Sequence, residues 1–257
     1  MSGDVRSLSV ANTNNIAKQK LHVILIVDTS RSMQGLRIAQ VNTAIADIHK
    51  YLIDLQDENA CVDFYISIVT FSNKAEFLAG YRGVNVNDMT PPNLKTAGYS
   101  NLHLAYEELS VVLKKESDGG MMPDFGGIAP IILLLTDGHP TKSAEKQLEI
   151  LKKLPWFSAA LRYGIAIELN DEKTKRTLSE FTEDKDCVVE CIDSSALAKI
   201  IRVIVLTASK VKSQSSAVRA KGYVRTGSAS PMQIQISHTE VKQEVKQTLD
   251  EIYDWEW

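Results

Sequence analysis

Residues 21–32 constrain the fold more than any other part of the chain. The first seven, LHVILIV, are mostly apolar, and they run directly into Asp28, Ser30 and Ser32. An uninterrupted apolar run that ends at polar residues is typical of a strand buried on both faces. In an open α/β sheet, ligands bind at the carboxyl ends of the strands. The segment therefore predicts a buried strand that presents a carboxylate and two hydroxyls at a binding edge.

Strand-like and helix-like patterns alternate from about residue 21 to residue 210. Strands are predicted at 21–27, 61–71, 128–136, 159–168 and 187–192, with a short edge strand at 75–81. Helices, with apolar residues three and four apart, are predicted at 36–55, 102–115, 143–154, 172–182 and 194–210. This alternation predicts an α/β fold with a doubly wound, mostly parallel sheet and helices on both faces. In chain order the strands at 21–27 and 128–136 are the first and the fourth, and they are then expected side by side.

The chain divides into three predicted parts. Residues 1–19 form a polar N-terminal segment, residues 20–210 form the α/β domain, and residues 211–257 form a short C-terminal extension. In the extension, 211–230 is rich in Ser, Ala and Lys and predicts a linker, while 231–236 predicts a short strand. Apolar residues at helical spacing predict a short helix at 240–253. A loop is predicted at 83–99, which contains two prolines.

Charge and composition exclude several classes of partner. The chain has 257 residues and a net charge of -3, which gives no electrostatic basis for binding nucleic acid. Its longest apolar runs are too short to cross a bilayer. The polar N-terminus lacks an apolar signal core, and the odd number of cysteines, three, favours reduced thiols. We therefore expect a cytoplasmic protein with no membrane contact.

Three segments bring oxygen-bearing side chains to one edge of the predicted sheet. The first carries Asp28, Ser30 and Ser32, the second (GYSNLHLA) carries Ser100, and the third (LLLTDGHPT) carries Asp137. Two close carboxylates repel each other unless a cation neutralises them. Hydroxyl and carboxylate oxygens are ligands for Mg²⁺, and Mn²⁺ or Ca²⁺ would also suit them. These five residues are the predicted metal ligands.

The same segments resemble those of von Willebrand factor A (VWA) domains. DTSRS resembles the D-x-S-x-S motif of this family, with Asp28 on its aspartate and Ser30 and Ser32 on its serines. The second segment is similar to one that usually begins with Thr, where Ser100 stands here, and Asp137 matches the final carboxylate. The resemblance covers residues 20–210 and implies a metal-ion-dependent adhesion site, which usually holds Mg²⁺. Because Ser lacks the methyl of Thr, it implies looser positioning of that ligand.

The resemblance also implies how such a chain works. The resemblance implies that the chain binds a partner and does not catalyse a reaction. An Asp or Glu of a protein partner would complete the coordination of the ion. DTSRSM, a following Gly and a helix with an Asn near Asn42 look closest to bacterial TerY-like proteins of tellurium-resistance clusters. That likeness implies a stress-response or defence role beside protein kinases and phosphatases. Six residues that flank the cage are expected to shape the contact face around the ion: Thr29, Arg31, Met33, Tyr99, His103 and His139.

Two alternatives concern the tail and catalysis. Acidic residues of the C-terminal extension are candidate carboxylates for self-association with a second copy: Asp250, Glu251, Asp254 and Glu256. A Mg²⁺-dependent phosphohydrolase of haloacid-dehalogenase type would also place an aspartate where Asp28 stands. That chemistry needs a second carboxylate two residues later, where this chain has Ser30. The chain is therefore predicted not to be an enzyme.

Overall fold

The computed structural model describes residues 18–59, 61–138, 140–168, 171–191, 193–219 and 238–253. Its strands are β1 (Gln19–Asp28), β2 (Val62–Phe71), β3 (Ala75–Asn85), β4 (Ile131–Thr136), β5 (Leu161–Ile167) and β6 (Val188–Cys191). Its helices are α1 (Leu36–Glu58), α2 (Leu102–Val112), α3 (Glu145–Lys152), α4 (Pro155–Ala159), α5 (Glu172–Thr182), α6 (Ser194–Arg219) and α7 (His238–Tyr253).

The strands form one six-stranded sheet in the order β3-β2-β1-β4-β5-β6. All neighbouring pairs are parallel except β2 and β3, so β3 is an antiparallel edge strand. Strands β2 and β3 are added on one side of β1, and the chain then crosses to the other side of β1, where it forms β4, β5 and β6. The predicted doubly wound sheet is confirmed, and β1 and β4 lie side by side at the point where the strand order reverses.

Strand β1 is apolar because both of its faces are covered. Leu21, Val23, Leu25 and Val27 belong to the apolar cluster that contains the buried residues of α1 and α6. Ile24 and Ile26 point to the other face and join the cluster formed with α2 and α3. The alternation places the strand at the centre of a three-layer structure. Its carboxyl end therefore has a rigid position.

Several predicted boundaries were wrong. Helix α6 continues to Arg219, so residues 211–219, predicted as linker, are helical; their Ala, Lys and Gln are good helix formers. The helix predicted at 143–154 is the shorter α3, and a second helix that was not predicted, α4, follows with Pro155 as its first residue. Strand β4 starts at Ile131, directly after a proline, which lacks the N–H needed for a strand ladder. Strand β3 reaches Asn85 and shortens the predicted loop. The strand predicted at 231–236 lies outside the described residues.

Helix α7 corresponds to the helix predicted in the extension, and it packs against α6. Val241 and Val245 are buried in the apolar cluster that includes the inner residues of α6. Lys242 forms an ion pair with Asp184, which lies just before β6. Because β6 is parallel to the central strands, this contact is at their amino-terminal edge. Helix α7 therefore packs far from the edge that carries Asp28.

A cytoplasmic protein was predicted from the cysteines and from the lack of long apolar runs, and the structure describes the exposure of the cysteines and the length and apolar composition of the helices. Cys61 is exposed, Cys187 and Cys191 are buried, and all three are free thiols. Burial raises the pKa of the Cys187 thiol to about 11 and that of Cys191 to about 12, so both stay protonated at neutral pH. Within the described ranges, no helix combines the length and the apolar composition that crossing a membrane requires.

Candidate functional site

Asp28 is the central residue of the candidate site. It is the last residue of β1 and has no exposed surface. Its Oδ1 accepts a hydrogen bond from the backbone N–H of Ser30 at 2.8 Å. Its Oδ2 accepts hydrogen bonds from the hydroxyls of Ser100 at 2.9 Å and Thr136 at 2.8 Å. Three segments of the chain are thus fixed around one carboxylate.

The residue whose backbone N–H binds Asp28 also begins a pair of hydroxyls that leads to a second carboxylate. The Oγ atoms of Ser30 and Ser32 are 3.0 Å apart, and the Ser32 hydroxyl donates to Asp137 Oδ1 at 2.8 Å. Asp137 follows β4 directly, and its side chain is fully buried. The structure therefore brings all five predicted residues into one hydrogen-bonded group. We refer to Asp28, Ser30, Ser32, Ser100 and Asp137 as the oxygen cage; their role as metal ligands stays a prediction.

Backbone hydrogen bonds explain why the three loops meet. The backbone N–H of Thr29 donates to Phe71 O at 2.9 Å, and Thr29 O accepts from the Ala97 N–H at 2.8 Å. The Arg31 N–H donates to Gly98 O at 3.1 Å. Gly98 has a φ of +77°, and a Cβ there would lie 2.5 Å from the Asn73 side chain, so only glycine fits. The loop that carries Ser100 is therefore held against the loop after β1.

Asn42 of α1 holds the same loop from its other end. Its Oδ1 accepts the N–H of Leu94 at 2.8 Å, and its Nδ2 donates to Leu94 O at 3.1 Å. Nδ2 also lies 3.0 Å from Asn93 Oδ1. The amide thus replaces a backbone partner for a segment that has no strand beside it. The sequence resemblance pointed to this asparagine without a role, and the structure supplies one.

The two carboxylates have different surroundings. Burial raises the pKa of Asp28, and the hydrogen bonds from Ser30, Thr136 and Ser100 oppose that rise. Asp137, in contrast, meets a cation: Arg37 Nη1 lies 2.5 Å from its Oδ2. Neighbouring carboxylates were predicted to need a neutralising charge, and the guanidinium of Arg37 supplies one from within the chain.

Arg37, Thr136 and Glu168 surround the cage and were not predicted as site residues. Arg37 is the second residue of α1, and it also contacts Glu168 just after β5. A cation in the first turn faces the positive end of the helix dipole, which is unfavourable. An arginine in this unfavourable position of the sequence therefore indicates an ion pair with specific acidic side chains of the same chain. Thr136 stood in the third segment, but the sequence alone did not distinguish its hydroxyl from any buried strand residue.

The donor set of the oxygen cage fits a hard divalent ion. It consists of hydroxyl and carboxylate oxygens, and the hydrogen-bonded pairs among them are 2.8 to 3.0 Å apart. Ligands at about 2.0–2.1 Å from Mg²⁺ place adjacent corners of an octahedron about 2.9 Å apart. In the described parts of the chain, no three or more His, Cys, Asp or Glu side chains gather into a metal-binding group. Binding here would therefore depend on the serine hydroxyls.

The rim of the cage differs from the predicted contact face. Arg31 and Tyr99 are exposed, Tyr99 with 65% of its surface, and they are available to a partner. Met33 and Thr29 were wrongly included, because both are buried: Met33 packs in the core, and the Thr29 hydroxyl donates to Phe71 O. His103 is half-buried at the start of α2. His139 lies outside the described residues.

Known proteins share parts of this sequence. Residues 23–139 match the family model of the von Willebrand factor type A domain. Inter-alpha-trypsin inhibitor heavy chain H1 of Sus scrofa is 28% identical over 149 residues, which cover 54% of this chain and 15% of that protein. The same protein of Bos taurus is 26% identical over 174 residues, which cover 61% of this chain and 17% of that protein. The chain thus spans less than a fifth of these relatives.

Solved structures share the fold at low identity. A von Willebrand factor type A protein from Catenulispora acidiphila has a TM-score of 0.55 at 13% identity, over 74% of this chain and 42% of that one. Proximal thread matrix protein 1 from the mussel byssus, with a zinc-occupied MIDAS motif (its metal-ion-dependent adhesion site), has a TM-score of 0.52 at 15% identity, over 73% of this chain and 48% of that one. At these identities the likeness concerns the fold alone. Residues 23–139, which include the whole oxygen cage, are thus similar to a von Willebrand factor type A domain in sequence, and the chain shares the fold of the solved structures.

Proposed function

We propose that this chain is a metal-dependent protein-interaction module whose oxygen cage holds Mg²⁺, with Mn²⁺ or Ca²⁺ as alternatives. VWA domains are in general interaction modules, and some depend on a divalent metal at the adhesion site. The observation that carries the proposal is the hydrogen-bonded group that runs from the Ser100 hydroxyl to Asp28, from Asp28 to the Ser30 backbone N–H, and from the Ser30 and Ser32 hydroxyls to Asp137.

The composition of the cage supports binding of a carboxylate from a partner. Three of its five side chains are neutral hydroxyls, so two carboxylates alone face the charge of a divalent ion. A bound ion would supply positive charge and an open position for an oxygen ligand. Backbone hydrogen bonds hold the loop after β1 against the loop before α2. The hydroxyls of Ser30, Ser32 and Ser100 therefore need little rearrangement to bind one ion. The exposed Arg31 and Tyr99 would then contact the surface around a partner's Asp or Glu.

We propose that the chain does not catalyse a reaction. A phosphohydrolase would need a general acid or base two residues after Asp28, and the Ser30 hydroxyl there is paired with Ser32. Incubation of the Mg²⁺-loaded protein with p-nitrophenyl phosphate should therefore release no nitrophenol above the rate of a matched Asp28→Asn variant. Hydrolysis that depends on Asp28 would support the phosphohydrolase instead.

The cellular setting is also a proposal. Resemblance of the first motif to TerY-like proteins supports a bacterial stress-response or defence role with kinase or phosphatase partners in the cytoplasm. The three free cysteines support a reducing compartment. The exposed Asp250 and Glu251 on α7 support a weaker alternative in which a second copy supplies the carboxylate. Light scattering with Mg²⁺ and with chelator distinguishes the two: a Mg²⁺-dependent dimer lost in Asp250→Asn/Glu251→Gln would favour self-association.

The proposal is tested by titrating chelator-treated protein with Mg²⁺, and separately with Mn²⁺ and Ca²⁺, and following thermal unfolding and heat of binding. Wild type should be stabilised by about 2.7 kcal/mol at a hundredfold excess over the dissociation constant. Ser32→Ala should lose most of this effect, because it removes a hydroxyl between Ser30 and Asp137. Ser110→Ala, on the exposed face of α2, is the matched control and should respond like wild type. A wild type that binds none of the three ions would refute the proposal.

A further inference from the structure

Arg37 connects the oxygen cage to the next strand of the sheet. Its Nη1 lies 2.5 Å from Asp137 Oδ2 and donates to Ser32 O at 3.1 Å, while its Nε donates to Glu168 Oε2 at 3.2 Å. The Arg37 side chain is 28% exposed, whereas that of Asp137 is fully buried. One guanidinium thus touches the loop after β1, the residue after β4 and the residue after β5.

The backbone makes this arrangement specific. Gly35, with a φ of +90°, turns the chain into α1 and directs the first helical turn back over the cage. Glu168 has a φ of +52°, which is uncommon outside glycine, and its N–H donates to Cys191 O at 3.0 Å. Glycine adopts this positive φ without strain, whereas Glu168 is held in a conformation that costs energy. Such strain in a residue other than glycine persists where the surroundings fix it, as at binding sites.

The guanidinium and a divalent ion would share one carboxylate. Asp137 Oδ1 takes the Ser32 hydroxyl and Oδ2 takes Arg37, so both of its oxygens are already engaged. Arg keeps its charge at any physiological pH, and two cations at one carboxylate repel each other. Glu168 divides the charge of Arg37 between two carboxylates and so weakens this repulsion.

On the basis of the proposed function, we propose that Arg37 is a built-in counter-cation of the metal site. It holds the cage together when no ion is bound, and it lowers the affinity for a divalent ion. Glu168 sets the strength of the effect by drawing the guanidinium partly away from Asp137. The affinity of the site is thus tuned by two residues that are not ligands themselves.

Opposite shifts in metal affinity are the distinguishing result. Arg37→Met removes the competing charge and should tighten Mg²⁺ or Mn²⁺ binding roughly tenfold, as expected for one charge in a partly exposed site. Glu168→Gln leaves the guanidinium entirely to Asp137 and should weaken binding roughly threefold. Arg37→Lys keeps the charge and should stay close to wild type. Arg176→Met, which removes an exposed ion pair with Glu180 on α5, is the control and should change nothing.

The experiment is calorimetric titration of the full chain with Mn²⁺, together with thermal unfolding in chelator. In chelator, Arg37→Met should unfold at a lower temperature than wild type, and saturating Mn²⁺ should remove most of that difference. Should Arg37→Met be unfolded without metal, Glu168→Gln and Arg37→Lys still give the affinity comparison.

Each outcome has a distinct meaning. Equal or weaker affinity in folded Arg37→Met, or tighter binding in Glu168→Gln, would overturn the role of Arg37 and leave the proposed function intact. Absence of Mn²⁺ binding in wild type and in all four variants, together with absence of Mg²⁺ and Ca²⁺ binding in the titrations above, would overturn the proposed function itself. Tightening in Arg37→Lys equal to that in Arg37→Met would show that hydrogen-bond geometry, not charge, is responsible, and would also overturn the inference.

Discussion

At the scale of single residues, the stability of the site depends on hydroxyls that donate hydrogen bonds to the buried carboxylate of Asp28. Ser100 shows this best, because it stands where the family usually has Thr and donates its hydroxyl to Asp28. Ser100→Ala should lower the free energy of unfolding by about 1–3 kcal/mol, since it removes a donor from a buried charge. Ser100→Thr keeps the donor and should match wild type in stability. Chemical denaturation of both variants gives the comparison; a Ser100→Ala variant as stable as wild type would mean that the bond to Asp28 contributes nothing.

His22 of β1 gives a prediction for pH dependence. Burial lowers its pKa to about 4, and the charge of Lys20 adds to this. The unfolded chain takes up the His proton near pH 6.5, while the folded chain does not. Stability from this residue is therefore fully present above pH 6.5 and is lost as the pH falls towards 4, by about 2 kcal/mol between pH 7.5 and pH 5.

The test of the His22 prediction is the difference in slope between wild type and His22→Leu. Urea denaturation at several pH values should show a shallower loss of stability in the variant, which has no proton to take up. Absolute stability at pH 7.5 also reports repacking against Tyr65 and is not the readout. Parallel pH profiles would contradict the burial argument.

At the scale of elements, the loop before α2 owes its position to α1. Asn42 makes hydrogen bonds to both backbone groups of Leu94. Asn42→Ala should cost about 2 kcal/mol of stability and weaken metal binding, because the loop that carries Ser100 loses its anchor. Thr43→Ala, at the next and exposed position, is the control. Unchanged metal affinity in a destabilised Asn42→Ala would show that the loop keeps its shape without the clamp.

Helix α7 should behave in the opposite way. Val245 is buried against the α6 side of the core, at the edge of the sheet away from the oxygen cage. Val245→Ala should lower the free energy of unfolding by about 1–2 kcal/mol through the lost methyl groups. The metal affinity of the folded protein should be unchanged. Calorimetry of the variant checks this, and a coupled loss of affinity would indicate that α7 influences the site.

At the scale of the whole molecule, the fold and the five cage residues were predictable because the signals were local. Apolar runs ending at Asp28 and Asp137 defined the strands, and strand order followed from the alternation of elements. The residues that surround the cage were not predictable in this way. Arg37 and Glu168 are 131 residues apart, and their meeting depends on the turn at Gly35 and on the left-handed backbone at Glu168. No periodic pattern encodes such contacts.

The end of α6 was missed for a different reason. Composition alone suggested a linker at 211–230, but Ser-, Ala- and Lys-rich sequence is compatible with a helix when the preceding turns are already formed. The helix predicted at 240–253 was found because its apolar spacing is regular, and burial of Val241 and Val245 explains that spacing. Periodicity was therefore a better guide than composition in this part of the chain.

The distribution of the thiols makes the molecule easy to orient. Cys61 is the exposed member of the three and lies just before β2, at the amino-terminal edge of the sheet, whereas the other two are buried and protonated. A maleimide reagent at neutral pH should therefore modify one position. Protein coupled to a sensor surface through that position would be tethered by the edge opposite Asp28 and Asp137. The oxygen cage would face the flowing solution in every immobilised molecule, ready for partners to be screened with and without divalent metal.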